Sequence, residues 1–344
     1  MGKLGFGVIG CGFIGMLHGQ VIASLDGACL AAAADSDDSK TEEAVRRWGC
    51  RSYRDYHEML QDPEVQVVSV CLPSGMHSKV TIEAARAGKH VICEKPIDTD
   101  AARAQEMVDT CRECKVELGI IMQHRFDKPI VLLKEAVAQG KLGKLLWGAS
   151  RTIWYRDEEY FSNPWRGTWE FDGGGSLMNQ SIHYIDLLID IFGKVKSVNG
   201  KCRRLLHQEI ETEDVGIANI EFENGCLGTV EGTTAAYPGL YAELAVFAEK
   251  GTVIIRNDEL LFYQLKDGED REFSCLLNPE KANALHQDAA ISTDAHKRQY
   301  QDFVQAVTEN RKPMVTGEDA LESLKLIKAI YESSAEGKEV YMGK

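Results

Sequence analysis

Gly10-Cys11-Gly12-Phe13-Ile14-Gly15 lies between an apolar run, residues 4–9, and a stretch from about Met16 to Leu25 that reads as a helix. G-x-G-x-x-G at a strand-to-helix turn has a physical meaning. Glycine permits a tight turn and a close backbone approach to a pyrophosphate, and the helix N-terminus offers amides and the positive end of its dipole. The spacing alone is weak, because glycine-rich turns also occur without ligands. Here a second strand, Cys29–Ala34, ends at an acid, Asp35, about 20 residues further on. A carboxylate at that point accepts hydrogen bonds from ribose hydroxyls and repels a 2′-phosphate. Ser36, Asp37 and Asp38 follow it, with no adjacent Lys or Arg, so the cofactor is read as NAD rather than NADP.

The surrounding rhythm gives the fold class. Thr41–Trp48 reads as a helix that opens on Glu42 and Glu43 and stops at Gly49, and Tyr56–Leu60 as a short helix. Val65–Leu72 is a run rich in β-branched residues, the pattern of a parallel strand buried on both faces. Helix His77–Ala87, strand His90–Glu94, helix Ala101–Cys114 and strand Val116–Met122 follow. Strands alternating with helices predict βαβ units, a parallel sheet and a first domain over residues 1–123. The pattern then changes. Helix Lys128–Gln139 and strand Leu145–Tyr155 precede an aromatic loop, Tyr160–Asp172, and a long helix over Gly175–Phe192. Several strands lie between Val195 and Leu265, with a hairpin signal at Glu223-Asn224-Gly225 and another break at Glu249-Lys250-Gly251. This predicts a second, α+β domain over residues 124–344 with an antiparallel or mixed sheet, closed by helices Asp294–Thr308 and Glu318–Ala335. Residues 266–293 are polar and have no assignment.

At about 150 residues per domain, 344 residues match two domains. The net charge of −14 argues against a nucleic-acid or anionic-membrane partner, since those surfaces demand a basic face. No apolar run approaches the ~18–20 residues of a membrane-spanning helix. The apolar N-terminus superficially resembles an export signal, but its glycines belong to the turn motif. Reduced thiols in a cytoplasm therefore fit the ten cysteines best. Cys111 and Cys114 form a lone C-x-x-C with no second pair at zinc-site spacing, so no metal site is expected.

Two positions could carry chemistry. Lys95 follows the strand His90–Glu94, and the carboxyl ends of strands face the ligand crevice of an open α/β sheet. A lysine there can shuttle a proton to and from a hydroxyl, although by itself it reads more simply as a solvated surface residue. Asn179 and His183 stand four apart in the long helix and share a face, with the acid Asp186 one turn on. His183 is by pattern either an acid/base or a structural histidine.

Taken together and in order, Gly10–Gly15, Asp35, the segment Leu72 to His77, Glu94-Lys95-Pro96 and Gly173-Gly174-Gly175 with Asn179 and His183 resemble the glucose–fructose oxidoreductase / inositol dehydrogenase (Gfo/Idh/MocA) family. The resemblance spans nearly the whole chain. It implies an N-terminal Rossmann domain, a C-terminal α+β domain with a large open, mostly antiparallel sheet, and last helices that pack back on the first domain. It implies a cis peptide bond before Pro96. Lys95 would be the catalytic lysine at the reacting oxygen and His183 the catalytic histidine. Pro73, Ser74 and His77 would lie beside the cofactor, Glu94 would contact the nicotinamide ribose, and Trp165-Arg166 would reach its carboxamide end. The alternative for Arg166 is an ordinary loop arginine paired with Asp172 or Glu170.

Asn179 stands where inositol dehydrogenases often carry Asp. It cannot titrate, but it can hold a substrate hydroxyl. The string from Trp165 to Asp186 is closer to branches acting on nucleotide-linked or free sugars. The implied activity is NAD-dependent oxidation of a ring secondary alcohol in a sugar, sugar acid, nucleotide sugar or cyclitol. Gln123, His124, Arg125, Tyr155 and Tyr237 are candidates for substrate contact. Two alternatives share the fold: an NAD-dependent glycosidase working by transient oxidation, and a non-catalytic sensor. The open sheet implies a homodimer or homotetramer.

Overall fold

In the computed structural model, which describes residues 2–268, 270–285 and 293–343, six short strands are each followed by a helical segment or tight turn. They are β1 (Leu4–Ile9), β2 (Ala28–Ala34), β3 (Arg51–Tyr53), β4 (Val67–Val70), β5 (His90–Cys93) and β6 (Leu118–Ile120). All pair in parallel, in the order β3-β2-β1-β4-β5-β6. Every residue of β4 is buried, in keeping with its three valines, and Ser69 is the polar residue among them. The connections reverse direction between β1 and β4, and ligands bind such sheets outside the strand ends at that switch point.

The first helix is Phe13–Ala23, opening directly on Gly12 rather than at Met16. Asp37 and Asp100 cap the helices Asp38–Trp48 and Ala101–Glu113, each accepting backbone amides of the first turn. The helix Asp294–Glu309 contributes Tyr300 and Phe303 to the same core as Phe6, Val8, Ile22 and Ile92. Accordingly the chain divides into two compact units, Met1–Gln123 with Ser292–Leu321, and His124–Ile291 with Glu322–Lys344.

The second unit is built on eight strands: β7 (Leu145–Ile153), β8 (Val195–Arg203), β9 (Val215–Phe222), β10 (Leu227–Thr233), β11 (Tyr241–Ala248), β12 (Gly251–Arg256), β13 (Glu259–Leu265) and β14 (Val340–Tyr341). Their order is β13-β12-β11-β7-β10-β9-β8-β14, antiparallel throughout except for the β7–β10 pair. The β9–β10 hairpin turns at the expected Glu223-Asn224-Gly225, with Gly225 at φ 82°. The β12–β13 hairpin turns on Asn257 and Asp258, both at positive φ, as its two-residue loop requires.

The helix Ile182–Phe192 lies close against β7, where a Cβ on Gly148 would fall 2.4 Å from the Phe192 ring. The opposite side chains of the sheet include the stacked rings of Trp147 and Phe247 and the ion pairs of Arg151 with Glu231 and Glu243.

Two further local features depart from the sequence reading. The helix expected over Gly175–Phe192 is two segments, a π-helical Ser176–Ser181 and the α-helix Ile182–Phe192. The unassigned polar stretch contains helices Arg271–Leu276 and Pro279–Ala282, capped by Asp270 and Asn278. Residues 269 and 286–292 of that stretch lie outside the described residues.

Candidate active site

In the first unit, three glycines of the turn are needed for three different reasons. Gly10 adopts φ 89°, and a Cβ on it would sit 2.4 Å from the Cys71 carbonyl oxygen. A Cβ on Gly15 would lie 1.8 Å from the Gly10 carbonyl oxygen, so this glycine lets the helix close on the turn. A Cβ on Gly12 would meet nothing within 4 Å. Its backbone borders open space at a helix N-terminus that no side chain caps. Phe13 is 75% exposed there, while Ile14 packs against the core. Uncapped amides beside open space fit a pyrophosphate.

Asp35 is tied to this turn. One carboxylate oxygen accepts the Cys11 amide at 2.8 Å and the other accepts the Asp37 amide at 3.0 Å. Lys40 approaches it at 3.9 Å. An acid at the end of β2 beside the glycines suits the ribose hydroxyls of NAD.

The carboxyl ends of β4 and β5 supply the next residues. Pro73 leads into a 3₁₀ turn, Ser74–Met76, in which Ser74 is buried. His77 is also buried, and its two ring nitrogens meet the carbonyl oxygens of Pro96 at 2.8 Å and Leu72 at 2.9 Å. It thereby fastens the loop after β4 to the loop after β5. The Lys95–Pro96 peptide is cis, as the family resemblance implies. Glu94 is buried; one of its oxygens meets the His18 ring at 2.9 Å and the other accepts the Lys95 amide at 3.1 Å.

Burial opposes charge on Glu94, yet the hydrogen bond and charge of His18 hold its carboxyl down to about 2. Burial likewise opposes charge on His18, and its contacts with Cys71 and Glu94 overcome it, pushing the imidazole up to about 10. The other His18 nitrogen meets Ser69 at 2.9 Å, Tyr300 at 2.8 Å and the Cys71 sulfur at 3.1 Å. Lys95 therefore follows a fixed, buried anion. Neither His18 nor Tyr300 figured among the sequence candidates. Gln123 closes the unit in a 3₁₀ turn, Gln123–Phe126.

In the second unit, His183 occupies the first turn of the helix Ile182–Phe192 and is half-buried. Its ring stands edge-on to that of His124, 5.0 Å away and at 86°. Asn179 lies in the π segment and donates to Asp172 at 2.6 Å. Arg125, a candidate for substrate contact, is instead 4% exposed and grips Asp186 through two hydrogen bonds of 2.6 and 2.8 Å. Its partner stands 61 residues away, so no local pattern revealed the pair.

Arg166 stacks on the rings of Trp165 and Tyr160, 4.6 and 4.2 Å from their centres, and donates to the Tyr160 hydroxyl. Asp172, one acid considered for it, instead accepts the Gly167 amide. Tyr155 stands edge-on to exposed Tyr237 at 5.3 Å. Sequence reasoning also missed Glu213. It is buried, accepts the Gly175 and Leu177 amides at 2.9 Å each and the Tyr331 hydroxyl at 2.9 Å, and so fixes the glycine run leading into the π segment.

Residues 4–121 match the oxidoreductase family, NAD-binding Rossmann fold, and residues 134–342 match the oxidoreductase family, C-terminal alpha/beta domain, the two parts of Gfo/Idh/MocA proteins. The chain is 29% identical to the myo-inositol 2-dehydrogenase of Thermotoga maritima, with 97% of each chain covered. It is 25% identical to the levoglucosan dehydrogenase of Pseudarthrobacter phenanthrenivorans over 79% of each. The WlbA dehydrogenase of Bordetella pertussis, solved in complex with NADH and UDP-GlcNAcA, superposes with a TM-score of 0.90 at 30% identity, covering 99% of this chain and 98% of that one.

Proposed function

The chain belongs to the Gfo/Idh/MocA oxidoreductase family, and from this we propose that it oxidises, or reduces back, a ring secondary alcohol of a sugar, sugar acid, nucleotide sugar or cyclitol. It is an NAD-dependent oxidoreductase acting on CH–OH groups, of the sugar and cyclitol dehydrogenase type. Bound NAD supplies the hydride acceptor. Gly10, Gly12 and Gly15 with the amides of Phe13 and Ile14 hold its pyrophosphate, Asp35 its adenosine ribose, and Pro73, Ser74, Glu94, Trp165 and Arg166 its remaining contacts.

The observation that carries the reading is Lys95 itself. It follows β5 at the carboxyl end of the sheet, directly after the buried anion Glu94. A lysine amine there takes the hydroxyl proton as the carbinol is oxidised and returns it in the reverse direction. His183 shares that proton transfer, and Asn179, Gln123 and Tyr155 orient substrate hydroxyls. The protein works as a homodimer or homotetramer through the sheet side chains that carry Trp147 and Phe247. It works in a reducing cytoplasm, in keeping with ten free cysteines.

Incubation with NAD and a panel of sugars, sugar acids, nucleotide sugars and cyclitols, followed at the NADH absorbance, tests this. Stoichiometric NADH from one class supports it. Aglycone release without net NADH would make the protein a glycosidase, and binding without turnover a sensor.

A further inference from the structure

Beside His183 lies a charged arrangement that the reaction above leaves unused. His124 Nδ1 is 2.8 Å from a carboxylate oxygen of Asp127 and 2.9 Å from one of Asp258. These groups come from three elements: His124 from the 3₁₀ turn Gln123–Phe126, Asp127 from the start of the helix Lys128–Ala138, and Asp258 from the β12–β13 turn. Asp127 sits at the helix N-cap, where an aspartate ordinarily accepts first-turn amides, but its side chain makes no capping bond. It turns to His124 instead. Asp258 is held at φ 65° and also accepts the Tyr184 hydroxyl at 2.9 Å. Asp127 thus forgoes its capping bond, and two carboxylates from separate elements meet one imidazole, a local rule broken in the way functional sites break them.

The ring of His124 then stands edge-on to His183 at 5.0 Å, and the titratable ring of Tyr184 also faces it, 5.9 Å away. We propose that His124 is a positioning residue for His183: clamped as an imidazolium by Asp127 and Asp258, it holds the His183 ring in place and keeps that ring neutral, ready to take a proton. The proposal rests on the assignment of His183 to proton transfer. Burial disfavours charge on His124, but Asp258 and Asp127 keep it well above the ordinary imidazole range. A positive charge next to a second imidazole disfavours the second proton, and the like-charge term reaches about one pH unit at this separation for an effective dielectric between protein and water.

Proton NMR titration of the histidine rings tests this without any substrate, so it stands apart from the dehydrogenase assignment. The His183 signal is identified by its loss in His183→Asn. In the wild-type protein His124 should stay protonated through pH 8 while His183 titrates. In His124→Gln the His183 midpoint should rise by about one unit, and in His124→Lys, which restores the charge, it should return toward the wild-type value. Once a substrate is found, the acid limb of kcat should move with these midpoints. A wild-type His124 that titrates near 6.5 would overturn the proposal even if no variant folds. Equal His183 midpoints in wild type and His124→Gln would do the same.

Discussion

Replacing Arg125 by Met should cost the second unit most of its stability. Arg125 is 4% exposed and Asp186 fully buried, joined by bonds of 2.6 and 2.8 Å. Arg125 also reaches Asp190 at 3.2 Å, while Ser323 donates to Asp186 at 2.9 Å. Methionine preserves the stem volume but leaves Asp186 a buried anion with a single hydroxyl donor among these partners, and Asp190 with Lys134. Removing one member of a buried pair costs about 3–5 kcal/mol, because the survivor stays desolvated. Asp186→Asn costs less, about 1–3 kcal/mol, since the guanidinium keeps Asp190. Arg125→Met with Asp186→Leu removes both charges and should cost clearly less than the two single changes added together.

Urea unfolding followed by tryptophan fluorescence reads this unit, because four of the five tryptophans, Trp147, Trp154, Trp165 and Trp169, belong to it. With a slope near 2 kcal/mol per molar urea, the Arg125→Met midpoint should fall by roughly 1.5–2.5 M. A fall worth less than about 1 kcal/mol at unchanged slope, or single-mutant costs that simply add in the double mutant, would refute the account.

Gly12 takes an ordinary extended φ of −69°, and a side chain on it meets nothing, so Gly12→Val should keep the thermal midpoint yet abolish NAD binding measured by calorimetry. Asp35→Ser with Ser36→Arg should move the kcat/KM preference from NAD toward NADP; wild-type protein that uses both equally would contradict the role given to Asp35. Lys95→Met should bind NAD normally but lose about 10²–10⁴-fold in kcat, and Lys95→Arg should fail nearly as badly because it cannot deprotonate near neutral pH. The His18–Glu94 pair should give stability its own pH window. His18, raised from 6.5 to about 10, contributes fully below pH 6.5 and loses its contribution as pH rises through 10. Glu94, lowered from 4.5 to about 2, contributes above pH 4.5 and loses it as pH falls through 2. The stability gap between wild type and His18→Gln, from denaturation at each pH, should therefore be widest between about 4.5 and 6.5; a gap that grows above pH 10 would contradict it.

The parallel half of the fold could be read from sequence because burial on both faces writes valine-rich runs such as Val67–Val70, in place of a polar–apolar alternation. The three-residue β3 is an edge strand with two exposed residues and has no such signature. The π segment Ser176–Ser181 continues the apolar spacing of an α-helix, and its shape is fixed from outside, by Glu213 on the preceding glycines. Caps at Asp270 and Asn278, the latter followed by Pro279, marked the helices of the polar stretch, but with only Phe273 and Ala282 buried there the periodic signal was too short to use. In the candidate site, the glycine turn and Asp35 were legible because chain spacing alone brings them together. The pairings of Arg125 with Asp186 and of His124 with Asp258 were not, since each joins residues far apart in sequence.

Tyr300, which meets both His18 and Ser69 behind the glycine turn, leaves the ribosome long after the strands it completes. At 5–20 residues per second, making the chain from residue 123 to Phe303 takes roughly 10–35 s. During that interval the six-stranded sheet must wait with His18, Ser69 and the Phe6 side of its core uncovered. An N-terminal fragment cut at residue 123 would keep all the glycines of the turn and still lack the ring that backs it. The dinucleotide-binding unit is thus completed by a segment that follows the whole run of strands from β7 to β13 in sequence.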